Sequence, residues 1–206
     1  MTILIMAKIP RPGFSKTRLS PPCTPEQAAA LAEAALLDSI DAALASGAAV
    51  VVALGGVGTY ALPDSVRSFP QVGETFSERL AHAWSQITTP AIQIGMDTPQ
   101  VTSSQLKAAL DTLEHESSVI GLTEDGGWWI IGFQSPPPPA TFDVEMSTAN
   151  TGELQLTQLD RDGFTPAQLE VLRDVDTWTD ALAVAAQTPY HRFGKLMYEL
   201  GSSATQ

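Results

Sequence analysis

Short unbroken apolar runs alternate with longer amphipathic ones along the chain. TILIMA (2–7) is apolar throughout and ends in the Pro/Gly-rich KIPRPGFSK, the pattern of a strand buried on both faces that feeds a loop. Thr24 and Pro25 form an N-cap and a first-turn proline, and the Ala/Leu-rich segment behind them predicts a helix to about Ser46, stopped by Gly47. AAVVVAL (48–54) is a second buried strand, SFPQV (68–72) marks a shorter unit, and a helix is expected over about Phe76–Ile87. Ala91–Gly95 predicts a strand ending at Met96-Asp97, and Thr102 caps a helix running through Leu113. SSVIGLT (117–123) and WWIIGFQ (128–134) are apolar enough to be strands joined by the turn Glu124-Asp125-Gly126-Gly127.

Strands alternating with helices imply an α/β fold with a mostly parallel, Rossmann-like sheet flanked by helices, and the late strand pair adds a small antiparallel element. The prolines of SPPPPA (135–140) make a stiff connector to a largely helical C-terminal part, in which VLRDVDTWTD (171–180) is one further strand-to-helix junction. The expected organisation is a single domain over 1–187 and a C-terminal helix and tail over 188–206. PYHRFGKLMYEL (189–200) serves either as a packing helix or as a homodimer contact.

Charge changes this picture. The 206 residues carry 11 Lys+Arg against 23 Asp+Glu, a net charge of -12, which excludes a nucleic-acid polymer or an anionic membrane surface as partner. Yet Lys8, Arg11, Lys16 and Arg18 fall within one short window, and no acidic residue precedes Glu26. Uniform scattering would put only about 0.6 of a basic residue there, so the cluster suits a small anionic ligand. At 44% hydrophobic and 17% charged the composition is that of a soluble globular protein. The apolar runs fall far short of the ~18 residues of a membrane span, and the N-terminus lacks the pattern of a signal peptide, so a cytoplasmic location is expected. The single Cys23 excludes an internal disulfide and a cysteine metal cluster.

The basic loop is not a P-loop, whose glycines would stand where Pro10 and Ser15 do. A strand end followed by a Gly/Pro loop bearing Lys and Arg can still wrap a polyphosphate. Asp97, at the carboxyl end of a strand, lies where open α/β sheets bind ligands and suits Mg²⁺ or Mn²⁺. Asp174 and Asp176 share one face of an extended segment, so either can add a second ligand, although Asp176 or Thr177 also suits a helix N-cap. Of the adjacent Trp128 and Trp129, alternation lets one pack while the other lines a cleft. His82, His115 and His191 lack metal-ligand spacing and are expected to be structural or surface residues.

MAKIPRPGFSKTRL, QVGETFSERL, IGMDTP, VIGLTEDGGWWIIGF, MSTANT and DVDTWTD stand in an order and spacing over about residues 1–185 that resembles a family of small bacterial proteins assigned as glycosyltransferases. That family has the GT-A-type nucleotide-diphospho-sugar transferase fold, and its wider relatives include molybdopterin-cofactor nucleotidyltransferases and phospholactate or phosphoenolpyruvate guanylyltransferases. The resemblance implies a nucleotide-binding first loop at Ala7, Lys8, Gly13, Lys16, Thr17 and Arg18, with Lys16 and Arg18 on the phosphates. It implies base and ribose contacts from Gln71 and the Gly73–Arg79 stretch. A first metal aspartate at Asp97, a second metal ligand at Asp176, and acceptor-side segments at Asp125-Gly126-Gly127 and Ser147-Thr148 also follow. Thr98, Leu122 and Met146 depart from residues often found in relatives (Cys, Pro and Trp), and the last two flank the implied acceptor pocket.

The implied activity is a Mg²⁺- or Mn²⁺-dependent transfer of a glycosyl group from a nucleotide-diphospho-sugar to a small acceptor. Lys16 and Arg18 would offset the charge that builds on the leaving phosphate, a cation held by Asp97 and Asp176 would bridge the phosphates, and Asp125 would orient or deprotonate the acceptor hydroxyl. The same groups suit a nucleotidyltransferase that moves NMP from an NTP with release of pyrophosphate. A non-catalytic nucleotide-binding module is the reading from a different class.

Overall fold

The computed structural model describes residues 1–203, with side chains through Gly201, so residues 204–206 of the helix and tail expected over 188–206 lie outside the described residues. Seven strands form one sheet: β1 (Thr2–Lys8), β2 (Ala49–Gly55), β3 (Arg67–Pro70), β4 (Ala91–Gly95), β5 (Ser118–Leu122), β6 (Trp128–Phe133) and β7 (Ala167–Gln168). Their spatial order is β3-β2-β1-β4-β6-β5-β7. All neighbours run parallel except β6, which is antiparallel to both β4 and β5. The hairpin expected at the Glu124–Gly127 turn is therefore present, and its second strand is inserted inside the sheet.

Helices cover both faces because the central strands are apolar on both. Ile3, Ile5 and Ala7 pack with α1 (Pro25–Ala45) and α3 (Ser103–Leu113), while Leu4 and Met6 pack with α2 (Phe76–Ser85) and α4 (Thr151–Arg161). The short strand β5 depends on α3 above it and on the β6 ladder. Four helices start as capping boxes: Thr24 with Gln27, Thr75 with Glu78, Thr102 with Gln105 and Thr177 with Asp180. The α1 and α3 boundaries follow the expected caps closely, whereas α2 stops at Ser85, with Gln86 and Ile87 in a final turn.

The C-terminal part differs from the expected strand-to-helix junction. Only Leu172 makes a bridge, to Thr123, and the following residues leave the sheet edge to cross toward β4, where the Val175 N–H donates to the Asp97 carbonyl at 2.8 Å. α5 (Trp178–Gln187) and α6 (Arg192–Ser203) then pack as an outer layer on α1. This explains why α1 is Ala-rich on nearly every side: it lies between the sheet and a second helical layer.

Asp38, buried within α1, anchors that layer. Its carboxylate accepts from the backbone N–H groups of Arg192 at 3.0 Å and Phe193 at 2.8 Å, first-turn donors that have no partner within α6. Asp38→Ala leaves these donors unpaired and is expected to cost about 2 kcal/mol. For a chain of this size that lowers Tm by about 4–8 °C. A calorimetric Tm equal to that of the wild type would show that the cap contributes nothing.

Candidate functional site

After β1 the chain builds β2 and β3 on one side of it and places β4 on the other, so β1 and β4 meet at a point where the winding reverses. The crevice beyond the carboxyl ends of such strands is the usual ligand site of an open α/β sheet. A cleft of about 660 Å³ opens there. Its charged lining consists of Lys8, Lys16, Arg18 and Arg79 together with Asp97, Asp125, Asp174 and Asp176.

The basic loop is held by a backbone hydrogen bond to β2 and by the Ser15 side chain within it. Ile9 N–H donates to Gly55 O at 2.8 Å, and the Ser15 hydroxyl accepts from Arg11 N–H at 2.9 Å while donating to Ile9 O at 3.4 Å. The loop then turns through Lys16, whose φ of 48° lies in the left-handed region, into a single 3₁₀ turn over Thr17–Leu19. Among described residues other than glycine, only Lys16 and Ser147 have a positive φ, and both line this cleft. Backbone strain of this kind concentrates at functional sites.

The acidic side is built from two extended segments. Val175 is buried among α1, α5 and α6, its N–H bonds to Asp97 O and its carbonyl accepts from the Lys16 ammonium. Alternation therefore turns Asp174 and Asp176 together toward the cleft. The Glu124 turn is tied to the same segment by an Arg173–Glu124 ion pair at 2.5 Å. Asp125 is held in that turn by the Thr123 hydroxyl at 2.6 Å and Gly127 N–H at 3.0 Å, both donating to one carboxylate oxygen.

Carboxylate oxygens of Asp125, Asp174 and Asp176 lie within 4.8 Å of one another. Burial, then the negative charges of Asp125 and Asp176, push the Asp174 carboxyl up to about 6, with Lys16 opposing them. Carboxylates this close together can converge on one small divalent cation, whose oxygen ligands stand about 2.0–2.1 Å from Mg²⁺.

Asp97 is placed differently from the pairing with Asp176 that the resemblance implies. The Lys16 ammonium stands 2.5 Å from Asp97 and 4.0 Å from Asp176, and the Arg18 guanidinium binds Asp176 at 2.7 Å. A protein cation thus sits between the two expected ligands, because the left-handed turn at Lys16 aims its side chain across the crevice. The acidic group without a lysine at its centre is Asp125, Asp174 and Asp176.

Ala7, Thr17, Gln71, Gly127, Ser147 and Thr148 also line the cleft, whereas Gly13 and Gly126 do not. The Gln71 side-chain amide donates to Ala7 O and Ala53 O at 2.9 Å each, tying the ends of β1 and β2 together. Gly126, at φ 93°, acts through close packing: a Cβ there would lie 1.9 Å from Ala149 O, and its carbonyl accepts from Gly152 N–H at 2.7 Å. This contact fixes the Ser147-Thr148 loop beside Asp125. A bulge at Gly121/Leu122 separates the tryptophans, so Trp129 is buried while Trp128 lines the cleft. Phe14 and Phe76, 72% and 39% exposed, line it too; Phe76 falls within the Gly73–Arg79 stretch that the resemblance implies for base and ribose, whereas nothing singled out Phe14. His191 Nδ1 lies 3.0 Å from Pro99 O, His82 packs edge-on against Phe69, and neither lines the cleft. Burial raises the Cys23 thiol pKa, and Cys23 lies outside the cleft.

The family model described as "Uncharacterized protein conserved in bacteria (DUF2064)" matches residues 29–148. No protein of curated function matches the sequence. A solved structure from Desulfovibrio desulfuricans G20, provisionally named a nucleotide-diphospho-sugar transferase, is similar with TM-score 0.88 and 24% identity, over 98% of this chain and 95% of that one. The manganese complex of Rv0371c from Mycobacterium tuberculosis H37Rv is similar with TM-score 0.54 and 19% identity, over 89% and 97%. The 2-C-methyl-D-erythritol 4-phosphate cytidylyltransferase of Thermus thermophilus gives TM-score 0.55 and 16% identity, over 90% and 98%. The chain thus has the GT-A-like transferase fold. Among the described residues no helix is long and apolar enough to cross a membrane.

Proposed function

For this chain, which belongs to the bacterial family DUF2064, we propose a metal-dependent transferase that uses a nucleotide-activated donor and moves a glycosyl group to a small acceptor. The observation that carries this reading is the meeting of Lys8, Lys16 and Arg18 with Asp125, Asp174 and Asp176 in one cleft at the reversal of the sheet. Such a pairing suits a diphosphate approached by cationic side chains on one side and by a carboxylate-held cation on the other. The provisional name of the Desulfovibrio protein and the manganese in the Rv0371c structure support the same reading by likeness of fold.

Asp125, Asp174 and Asp176 would hold Mg²⁺ or Mn²⁺, with Asp97 beside them, and the ion when bound would supply positive charge to the diphosphate. Lys16 and Arg18 offset charge on the leaving phosphate, and Phe76 and Arg79 offer the nucleoside a ring face and hydrogen-bond donors. The acceptor oxygen bonds to the anomeric carbon as that carbon's bond to the diphosphate oxygen breaks, the electron pair leaving on the diphosphate. Asp125, its Oδ1 held by Thr123 and Gly127, orients the acceptor hydroxyl from within the metal group, and the hydroxyl proton leaves to solvent. The likeness to a cytidylyltransferase supports nucleotidyl transfer as a second reading, in which attack falls on the α-phosphorus and pyrophosphate leaves.

Thermal melts with Mn²⁺ and a panel of nucleotide sugars and nucleoside triphosphates test this. A donor at about 100 times its Kd should raise Tm by roughly 5–10 °C, only when metal is present. Release of a nucleoside diphosphate from a nucleotide sugar is then expected by mass spectrometry. Pyrophosphate release would instead identify a nucleotidyltransferase, and binding with no turnover across a broad acceptor set would leave a binding module.

A further inference from the structure

The charged lining of the cleft divides along the chain. Its cations, Lys8, Lys16, Arg18 and Arg79, all come from the first 79 residues, and its carboxylates all come from Asp97 onward. From Ala108 through Asp160 there is no Lys or Arg, while nine Asp and Glu occur. This stretch supplies one wall: the Thr123–Trp128 turn strand and the Met146–Thr151 loop, locked together by the Gly126–Gly152 hydrogen bond and the Gly126 approach to Ala149. A donor diphosphate takes the cations, so the second substrate meets this wall.

We propose that the acceptor is an uncharged hydroxyl compound with an apolar face, and that phosphorylated and carboxylated acceptors are excluded by the charge of the wall. The inference rests on the proposed transferase reading and adds to it the class of acceptor. No basic side chain of the wall can neutralise a second anion, and the donor diphosphate beside the wall repels one. The acids do not favour a cationic acceptor, because a bound divalent ion takes up Asp125, Asp174 and Asp176, and Asp97 stands 2.5 Å from Lys16. The wall is left with the Ser147 and Thr148 hydroxyls for hydrogen bonding, and with Trp128 and Met146 for the C–H face of a polyol or sugar.

Two measurements test this. Met146→Cys places a thiol on the wall, and its rates with anionic and neutral methanethiosulfonates are compared with those of a free thiol, in Mn²⁺ and a nucleoside diphosphate. Wild-type protein, whose only cysteine is the buried Cys23, serves as the background. The anionic reagent should be slowed about tenfold or more relative to the neutral one; equal or faster anionic labelling would overturn the proposal whether or not turnover is seen. The second measurement offers wild-type protein matched pairs, methyl mannoside with its 6-phosphate and glycerol with glycerol 3-phosphate. Preference for the neutral member is expected, and preference for the phosphate would overturn the proposal. Failure of the donor reading appears separately, as the lack of a metal-dependent nucleotide shift in Tm.

Discussion

Replacing Lys16 with methionine is expected to lower donor turnover by about 10²–10³-fold, the usual effect of removing one group that stabilises developing negative charge. Methionine keeps the length and apolar stem of a side chain that is only 10% exposed, so the change removes charge more than volume. It leaves Asp97 without its 2.5 Å partner, whereas Asp176 keeps Arg18. Because the Asp97 side chain is 47% exposed, solvent screens the loss, and the unliganded protein should lose only about 1 kcal/mol, or roughly 2–4 °C in Tm. Lys16→Gly relieves about 1 kcal/mol of left-handed strain but also deletes the buried stem, and it should be as inactive as Lys16→Met. Turnover by Lys16→Met within tenfold of wild type would show that Lys16 does not neutralise the donor phosphates.

That the site depends on Lys16, Asp97 and Asp176 meeting also explains where sequence reading stops. The strands and helices are legible because their signals are local: the two-sided apolar run of β1, the Thr24-Pro25 start of α1, and Thr102 before α3. The i, i+2 spacing of Asp174 and Asp176 was likewise enough to put them on one face. Contacts spanning about 80 residues have no such signal. Nothing local tells that the left-handed turn at Lys16 sends its ammonium to Asp97, or that Val175 docks on Asp97 O and draws the segment off the sheet edge. The insertion of β6 between β4 and β5 is equally silent, since a hairpin pattern does not say which outer neighbour its second strand will pair with. Asp125 illustrates the same limit. Its turn is readable, but its approach to Asp174 and Asp176 depends on the Arg173–Glu124 pair and on Gly126 packing against Ala149.

The three-carboxylate group carries a cost that Asp174→Asn should expose. Burial and the neighbouring carboxylates raise the Asp174 carboxyl from an ordinary 3.8 to about 6, so the folded chain binds this proton more tightly than the unfolded one. The sign follows: the group is least costly to the fold below pH 3.8, stability falls as pH rises from there to about 6, and the penalty persists above it. Asparagine removes the charge and with it the penalty. In the absence of metal at pH 7.5 the variant should be more stable by about 1 kcal/mol after allowance for solvent, raising Tm by roughly 2–4 °C, and the difference should vanish near pH 4. Its response to metal should move the other way, because the variant brings one carboxylate fewer to a divalent ion. In the wild type, protons compete with Mn²⁺ for Asp174, so the Mn²⁺-induced rise in Tm should weaken as pH falls through about 6. In Asp174→Asn the rise should be small and lose that pH step. A metal-free variant that melts below the wild type at pH 7.5 would contradict the repulsion, and an undiminished Mn²⁺ response would remove Asp174 from the ligand set. Gain of stability with loss of metal response would mark these acids as kept for a ligand at the expense of the fold.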